Sequence, residues 1–289
     1  MTTASIAMCT YNGERFLQQQ LDSILNQSRA PDELIICDDS STDKSLEIIK
    51  EFANSAPFKV KVYRNKINLG YVKNFDLAIS LCSKDIIFLC DQDDIWAPSK
   101  LLEMIGTFDT EPDVGMVLHN YNWIDEYSCL HYPKLPDTYG NLKLSASNLP
   151  EEIRSNSVQI FMAPYPRAWC GCMMAFRSHF KNIILPIFPG KGHDDWVLKL
   201  LGPITHVRFI TSELVSYRVH ATNTNRRDLD KRTIGELLIG RYIKKLKLIL
   251  NGHTKYGFYR EILRRLTKSG HTVIYRELLI SYKRWCSRF

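Results

Sequence analysis

The stretch FLCDQDDIW, residues 88–96, runs from apolar residues straight into three carboxylates, Asp91, Asp93 and Asp94. Like charges in contact repel by about 1 kcal/mol per pair even in water. Such crowding marks either a solvated acidic turn at a helix start, where acids are favoured, or a place kept for a cation. Asp91 and Asp93 stand one residue apart and can turn hard carboxylate oxygens to one point, a donor set suited to Mg²⁺ or Mn²⁺. A calcium EF-hand is excluded, because the loop would need Gly and Glu where the chain has Trp96 and Leu102. A phosphate-cradling G-x-x-x-x-G-K-[ST] loop is absent as well. Two other polar clusters follow apolar runs in the same way: Thr10, Tyr11 and Asn12 after SIAMC, and Asp38 and Asp39 after ELIIC.

The elements that must position these groups alternate. Residues 5–9 read as a strand, and ERFLQQQLDSILNQ places Phe16, Leu17, Leu21, Ile24 and Leu25 on one helical face. A second strand spans 32–39. The helix after it takes Ser41 or Thr42 as N-cap and turns Leu46, Ile49 and Ala53 inward. KVKVYRN reads as a strand, YVKNFDLAISLC as a helix, DIIFLC as a strand buried on both faces, and APSKLLEMIGTF as a helix with Pro98 near its first turn. Strand and helix in alternation predict βαβ units and a mostly parallel sheet flanked by helices. Ligands of such sheets bind beyond the carboxyl ends of the strands. All three polar clusters fall there, so one crevice is expected to gather them.

From 125 to 165 the pattern weakens into an irregular, turn-rich excursion. WCGCMMAF (169–176) reads as a strand, DDWVLKLLG (194–202) as a short helix, and THVRFIT and ELVSYRVH as two further strands. The charge is uneven. Residues 226–289 hold 17 basic and 5 acidic residues, a net +12, and the rest holds 21 and 26, a net −5. Ile234, Leu237, Leu238, Tyr242, Leu246 and Ile249 recur at helical spacing among the lysines and arginines of that region. Basic amphipathic helices with aromatic residues suit an anionic membrane surface or pack their apolar faces on the domain. No apolar run reaches the ~18 residues of a membrane span, and the start lacks a signal-peptide pattern. The 8 cysteines form no C-x-x-C pair and several lie in apolar runs, which predicts reduced core thiols in a cytoplasmic protein.

CTYNGERFLQQQLDSILNQS, IICDDSSTDKS, NLGYVKNF and DQDDIW occur in the order and approximate spacing of family 2 glycosyltransferases, and HDDW (193–196) and YRVHATN (217–223) resemble later segments of the bacterial rhamnosyltransferase-like subgroup. The resemblance covers about 1–225. It implies a Rossmann-like GT-A catalytic domain over 1–225, with a nucleotide-sugar half of about 1–120 and an acceptor half of about 121–225, followed by a helical region over 226–289. It further implies an inverting, metal-dependent transfer from a nucleotide sugar, dTDP-rhamnose or a UDP-hexose, to a glycan or polyprenyl-diphosphate-linked acceptor in O-antigen or capsule assembly at the inner membrane face.

By that resemblance, Thr10, Tyr11, Asn12, Glu14 and Asp39 form the nucleotide-base pocket, with Asp38 a structural cap. Lys73 lies near the phosphates. Asp91 contacts the ribose or a metal-bound water, Asp93 binds Mg²⁺ or Mn²⁺, and Asp94 caps the following helix. Arg218 and His220 assist the leaving diphosphate. Asp194, or Asp195 in its place, is the base that takes the acceptor's proton. Trp96, Trp169, Gly171 and His193 are candidates for the sugar pocket.

Two readings from other classes compete. A nucleic-acid-binding protein would use the basic region and lose affinity steeply with salt, but the acidic body and the lack of any RNA- or DNA-reading motif argue against nucleic acid as a partner. A non-catalytic relative acting as a binding partner in a glycan-assembly complex would have no need of Asp91, Asp93 and Asp194.

Overall fold

The computed structural model describes residues 2–130, 170–188, 192–202, 204–221, 223, 264–265 and 268. Trp169 and the amphipathic segments predicted within 226–289 therefore lie outside the described residues, apart from Arg264, Arg265 and Lys268. The chain divides into two compact units, residues 1–122 with 144–218, and 123–143 with 219–289.

The first unit is a βαβ array. Strand β1 (Ala4–Thr10) is buried along its whole length, as is β2 (Glu33–Asp38), and β4 (Ile86–Cys90) is the predicted two-faced core strand. Each fully buried Leu or Ile in these runs contributes about 1.5–3 kcal/mol. Strand β3 (Lys59–Arg64) alternates lysine with valine and is only half-buried, as suits an edge strand. The connections are α1 (Leu17–Leu25), α2 (Ser45–Ser55) and α3 (Tyr71–Leu81). All three pairings, β2–β3, β1–β2 and β1–β4, are parallel.

Beyond the acidic loop come β5 (Ile95–Trp96), α4 (Lys100–Thr110) and β6 (Val114–Ile124). A 3₁₀ turn at Gly171–Met173 leads into β7 (Met174–Arg177), followed by α5 (Lys181–Ile184), α6 (His193–Leu201) and β8 (His206–Arg218). The described strands form one mixed sheet in the order β3-β2-β1-β4-β7-β6-β8-β5. β7 runs antiparallel to both β4 and β6, and β5 antiparallel to β8.

Four local expectations are corrected. Leu25 is 42% exposed and leaves the buried face of α1 to Leu17, Gln20, Leu21, Ser23 and Ile24. Helix α2 begins at Ser45, because the Ser41 hydroxyl is already used: it donates to Asp38 and accepts the Asn12 amide. The two strands expected between 205 and 220 are one strand. Its exposed middle, Thr211, Ser212 and Glu213, holds no Gly, Pro or Asn to break it. The segment at 171–173 is a 3₁₀ turn before the strand begins.

Candidate active site

The carboxyl ends of β1, β2 and β4 bring the three polar clusters together. At the end of β1, the buried Thr10 donates its hydroxyl to Asp38 Oδ1 (3.1 Å), and its carbonyl accepts the Asp39 N–H (2.8 Å). Asp38 has no exposure and also accepts the Ser41 N–H (3.0 Å), so it closes the turn, the cap role expected of it. Asp39 works outward. Its Oδ1 accepts from Asn65 Nδ2 (2.7 Å) and Leu69 N (2.8 Å), and its Oδ2 from Gly70 N (2.8 Å). The carboxylate thereby ties loop 65–70 to β2 and keeps acceptor capacity on Oδ2.

Tyr11 is half exposed, with a ring available for stacking. Asn12, in the left-handed region at φ 47°, accepts the Thr42 N–H (2.8 Å). Glu14 accepts the Lys44 N–H (2.9 Å), and Asp43 the Ser45 N–H (3.0 Å), so both side chains serve orphan amides at the start of α2. Lys73 is exposed on the first turn of α3.

The middle residue of the D-x-D, Gln92, binds both backbone groups of Tyr11. Its Oε1 accepts the Tyr11 N–H (2.8 Å) and its Nε2 donates to the Tyr11 carbonyl (3.1 Å). The amide lies across Gly13, where a Cβ would meet Gln92 Oε1 at 2.3 Å. This latch joins two arms of the crevice, and only the pairing of a middle Gln with T-Y-N-G in the sequence hints at it.

Behind the acidic loop stands a layer of buried polar groups. Arg218 is fully buried. It donates Nε to the Asp93 carbonyl (2.8 Å), its backbone N–H to Asp94 Oδ1 (3.0 Å) and a terminal nitrogen to Gln19 Oε1 (2.6 Å), with the guanidinium 4.6 Å from the centre of the Phe16 ring. The expected leaving-group helper is therefore placed as a clamp that holds the loop to α1. Asp94 does not cap α4. That helix starts after Ser99, and Asp94 is taken up by the Arg218 N–H. Lys100, which no sequence motif marks, is wholly buried, with Nζ 3.9 Å above the Trp96 ring and 2.5 Å from the Cys172 carbonyl. Trp96 is 2% exposed and belongs to the core rather than to a pocket wall.

Burial and mutual repulsion govern this cluster. Desolvation, then Asp94, Asp93 and Asp194, push the Asp91 carboxyl well above the usual range. Burial and then Asp93 push Asp94 up to about 7. Burial draws Lys100 down to about 8, against the pull of the surrounding acids. Donor atoms of Asp91, Asp94 and Cys172 lie within 4.8 Å of one another, and Asp94 Oδ2 is buried without a partner among the described residues. A divalent cation fits such a set, since it would supply the missing partner and relieve the repulsion. The convergence includes Asp94, where the D-x-D motif points to Asp93.

Facing Asp91 is the start of α6. Asp194 accepts the Asp195 N–H (2.7 Å), and burial raises its carboxyl to about 6. Asp195 is held in an ion pair with Lys199 (2.6 Å) one turn on. His193 is buried and stacks on Phe75 (centroids 3.7 Å apart, 16° between planes), with Tyr71 edge-on at 6.1 Å. Burial lowers it to about 3, so the ring is neutral. Gly171 packs against that ring, and a Cβ there would lie 2.4 Å from His193 Nε2, so the close approach expected of this glycine is made to His193. His220, in the second unit, is buried, and its N–H donates to Asn223 Oδ1.

A fold with a parallel nucleotide-type half, an acidic loop at its carboxyl edge and a facing acid defines a GT-A glycosyltransferase architecture. The family model "Glycosyl transferase family 2" matches residues 5–183, and the chain belongs to that family. An uncharacterized glycosyltransferase of Nostoc is 25% identical over 233 residues, 76% of this chain and 66% of that one. The UDP-Glc:alpha-D-GlcNAc-diphosphoundecaprenol beta-1,3-glucosyltransferase WfgD of Escherichia coli is 32% identical over 124 residues, 43% of this chain and 47% of that one. The match to these curated relatives thus spans between about a half and two thirds of their length. Among solved structures, S. aureus TarS 1-349 in complex with UDP-GlcNAc superposes with a TM-score of 0.60 at 15% identity, over 96% of this chain and 71% of that one. The mannosyltransferase PcManGT of Pyrobaculum calidifontis, in complex with GDP-Man and Mn²⁺, gives 0.56 at 15%, over 98% and 80%. These likenesses establish the fold. Among the described residues, no helix is long and apolar enough to cross a membrane.

Proposed function

We propose that the chain is an inverting, cation-dependent glycosyltransferase that moves a sugar from a nucleoside diphosphate donor to a glycan or lipid-linked acceptor in surface-polysaccharide assembly. The observation that carries this reading is the convergence of Asp91, Asp94 and Cys172 donor atoms within 4.8 Å at the carboxyl end of β4, with Asp94 Oδ2 buried and unpartnered among the described residues, and with Asp194 near enough to act on the Asp91 carboxyl. The names of the relatives favour a nucleotide-sugar donor, and that of WfgD a diphosphoundecaprenol-linked acceptor for that protein. dTDP-rhamnose and the UDP-hexoses are the proposed donors. The basic segment at 226–289 supports attachment at the anionic inner membrane face.

In this reading Tyr11 stacks on the base, and Asp39 accepts its N–H through the capacity left on Oδ2. Asp91, with Asp93 and Asp94, would hold Mg²⁺ or Mn²⁺, which when bound supplies Lewis-acid stabilisation of the leaving diphosphate. The acceptor oxygen attacks the anomeric carbon as its proton passes to Asp194. The bond from that carbon to the diphosphate oxygen breaks, and the configuration inverts. A carboxyl near 6 is ionised at neutral pH yet basic enough to help. In this reading the exposed Lys73 meets a phosphate of the donor.

A thermal-shift panel of UDP, dTDP, GDP and ADP, each with Mn²⁺ and with EDTA, tests the site. A ligand in hundredfold excess over its Kd stabilises by about 2.7 kcal/mol. A metal-dependent shift with one nucleotide, lost in Asp93→Ala without a fall in the unliganded Tm, is expected. Full turnover by Asp93→Ala would sink the D-x-D assignment.

A further inference from the structure

Large apolar side chains left in water at the mouth of a site point to something that covers them. Tyr11, Ile67, Leu69 and Tyr71 are 48%, 67%, 36% and 47% exposed. Tyr11 follows β1, and the other three lie on the loop and helix start that Asp39 ties to β2. Tyr71 differs from its neighbours in what lies beneath it. Its ring meets His193 edge-on at 6.1 Å, His193 lies flat on Phe75 at 3.7 Å, and the next residue along the chain is Asp194.

We propose that Tyr71 is the aromatic wall of the acceptor subsite, covering the C–H face of the pyranose whose hydroxyl Asp194 deprotonates. This rests on the glycosyltransferase reading above and names where its acceptor ring lies. A pyranose presents one face of polarised C–H bonds, and the electron-rich face of a phenol ring attracts it while shedding water from both. The platform is rigid. Gly70, at φ 82°, starts the helix, and Asp39 holds its N–H. Such pre-organisation is what a binding wall needs.

His193 gives the second, independent sign. It is 6% exposed, and among the described residues neither of its ring nitrogens has a hydrogen-bond partner. A phenylalanine would fill the same stack on Phe75 without leaving two buried polar atoms unmet, which is costly in a closed interior. A hydroxyl-bearing ligand, or the water it brings in, provides the partner that the described protein groups do not.

The test is saturation-transfer NMR on the full chain with UDP, dTDP or GDP and Mg²⁺, using the methyl glycosides of glucose, galactose, N-acetylglucosamine and rhamnose as probes. Wild type is expected to transfer saturation to the ring C–H protons of one face of at least one glycoside. Tyr71→Ala should reduce that transfer at least fivefold, whereas Tyr71→Phe and Tyr71→Trp keep it, and the nucleotide signals stay unchanged in all four proteins. Equal glycoside transfer in Tyr71→Ala, or none to any glycoside on a wild type that does bind nucleotide, overturns the subsite. Absence of transfer to every nucleotide on wild type overturns the donor reading instead.

Discussion

Asp194 and Asp195 are neighbours with the same charge, and what separates them is one lysine. Lys199 sits one helical turn from Asp195 and holds it in a 2.6 Å ion pair, while Asp194 turns to the crevice and is raised to about 6 by burial. Asp194→Asn should therefore lower kcat by about 10²–10⁴, the usual worth of a positioned base. Asp195→Asn should change kcat only a few-fold but lower stability by about 3–5 kcal/mol, because it leaves the buried Lys199 ammonium without its carboxylate. Steady-state kinetics and a melting curve on the two variants check both. Because a base must be unprotonated to act, kcat/KM in the wild type should rise with pH through about 6 and level above it. Asp194→Asn should flatten that limb. The sequence narrows the proposed base to this pair through the resemblance that HDDW carries. It cannot choose between them, because which acid Lys199 takes depends on the helical register.

At the scale of elements, two latches hold the crevice, and neither is legible as a latch in the sequence. Gln92 fastens the acidic loop to β1 through the backbone of Tyr11, and Arg218 on β8 fastens it to α1. Gln92→Ala removes two hydrogen bonds, each worth about 0.5–1.5 kcal/mol. Calorimetry with UDP and Mn²⁺ should show binding weakened by roughly tenfold, with a smaller change in Tm than Arg218→Met causes, since that variant removes a fully buried guanidinium and strips partners from Asp93 and Gln19. Gly171→Ala should push His193 off its seat and lower kcat through Asp194, with the stack on Phe75 lost. Arg218 resembles a ligand-binding residue because a motif cannot say whether its guanidinium faces the ligand or the core. The helices of residues 4–110 are legible because their apolar residues recur at helical spacing, and β1, β2 and β4 because they are short continuous apolar runs buried on both faces. β8 reads as two strands because polar residues in an exposed mid-strand stretch look like a turn when only pattern is available.

For the whole molecule, the acidic cluster makes stability depend on pH and on cations. Asp91, Asp94 and Asp194 all titrate higher in the folded chain than in an unfolded one. Between about pH 4 and 7 these three carboxyls hold more protons in the native state than in the unfolded one, which lowers stability as pH rises across that window, against the opposite pull of the buried neutral His193 and His119, which take up protons only on unfolding. The EDTA-treated protein should melt lower at pH 7.5 than at pH 5.5. Mn²⁺ added at pH 7.5 should close the gap, because a bound cation replaces the protons. Asp94→Asn should shrink that pH difference in the EDTA-treated protein, and an unchanged difference would show that the carboxyls are not crowded as described.

Sequence alone determined the alternating architecture and the set of candidate carboxylates, because apolar runs and strand-end acids are properties of neighbours along the chain, and the family showed through the resemblance of its motifs. Tertiary structure decided which groups answer one another: Asp94 with Arg218 rather than with its own helix, Lys100 beneath the acids, Gly171 against His193, and Asp194 opposite Asp91. The physical reason is distance. Desolvation and polar pairing act over a few ångströms of space, here between residues as much as 199 apart in sequence, and only the folded sheet brings them within that range.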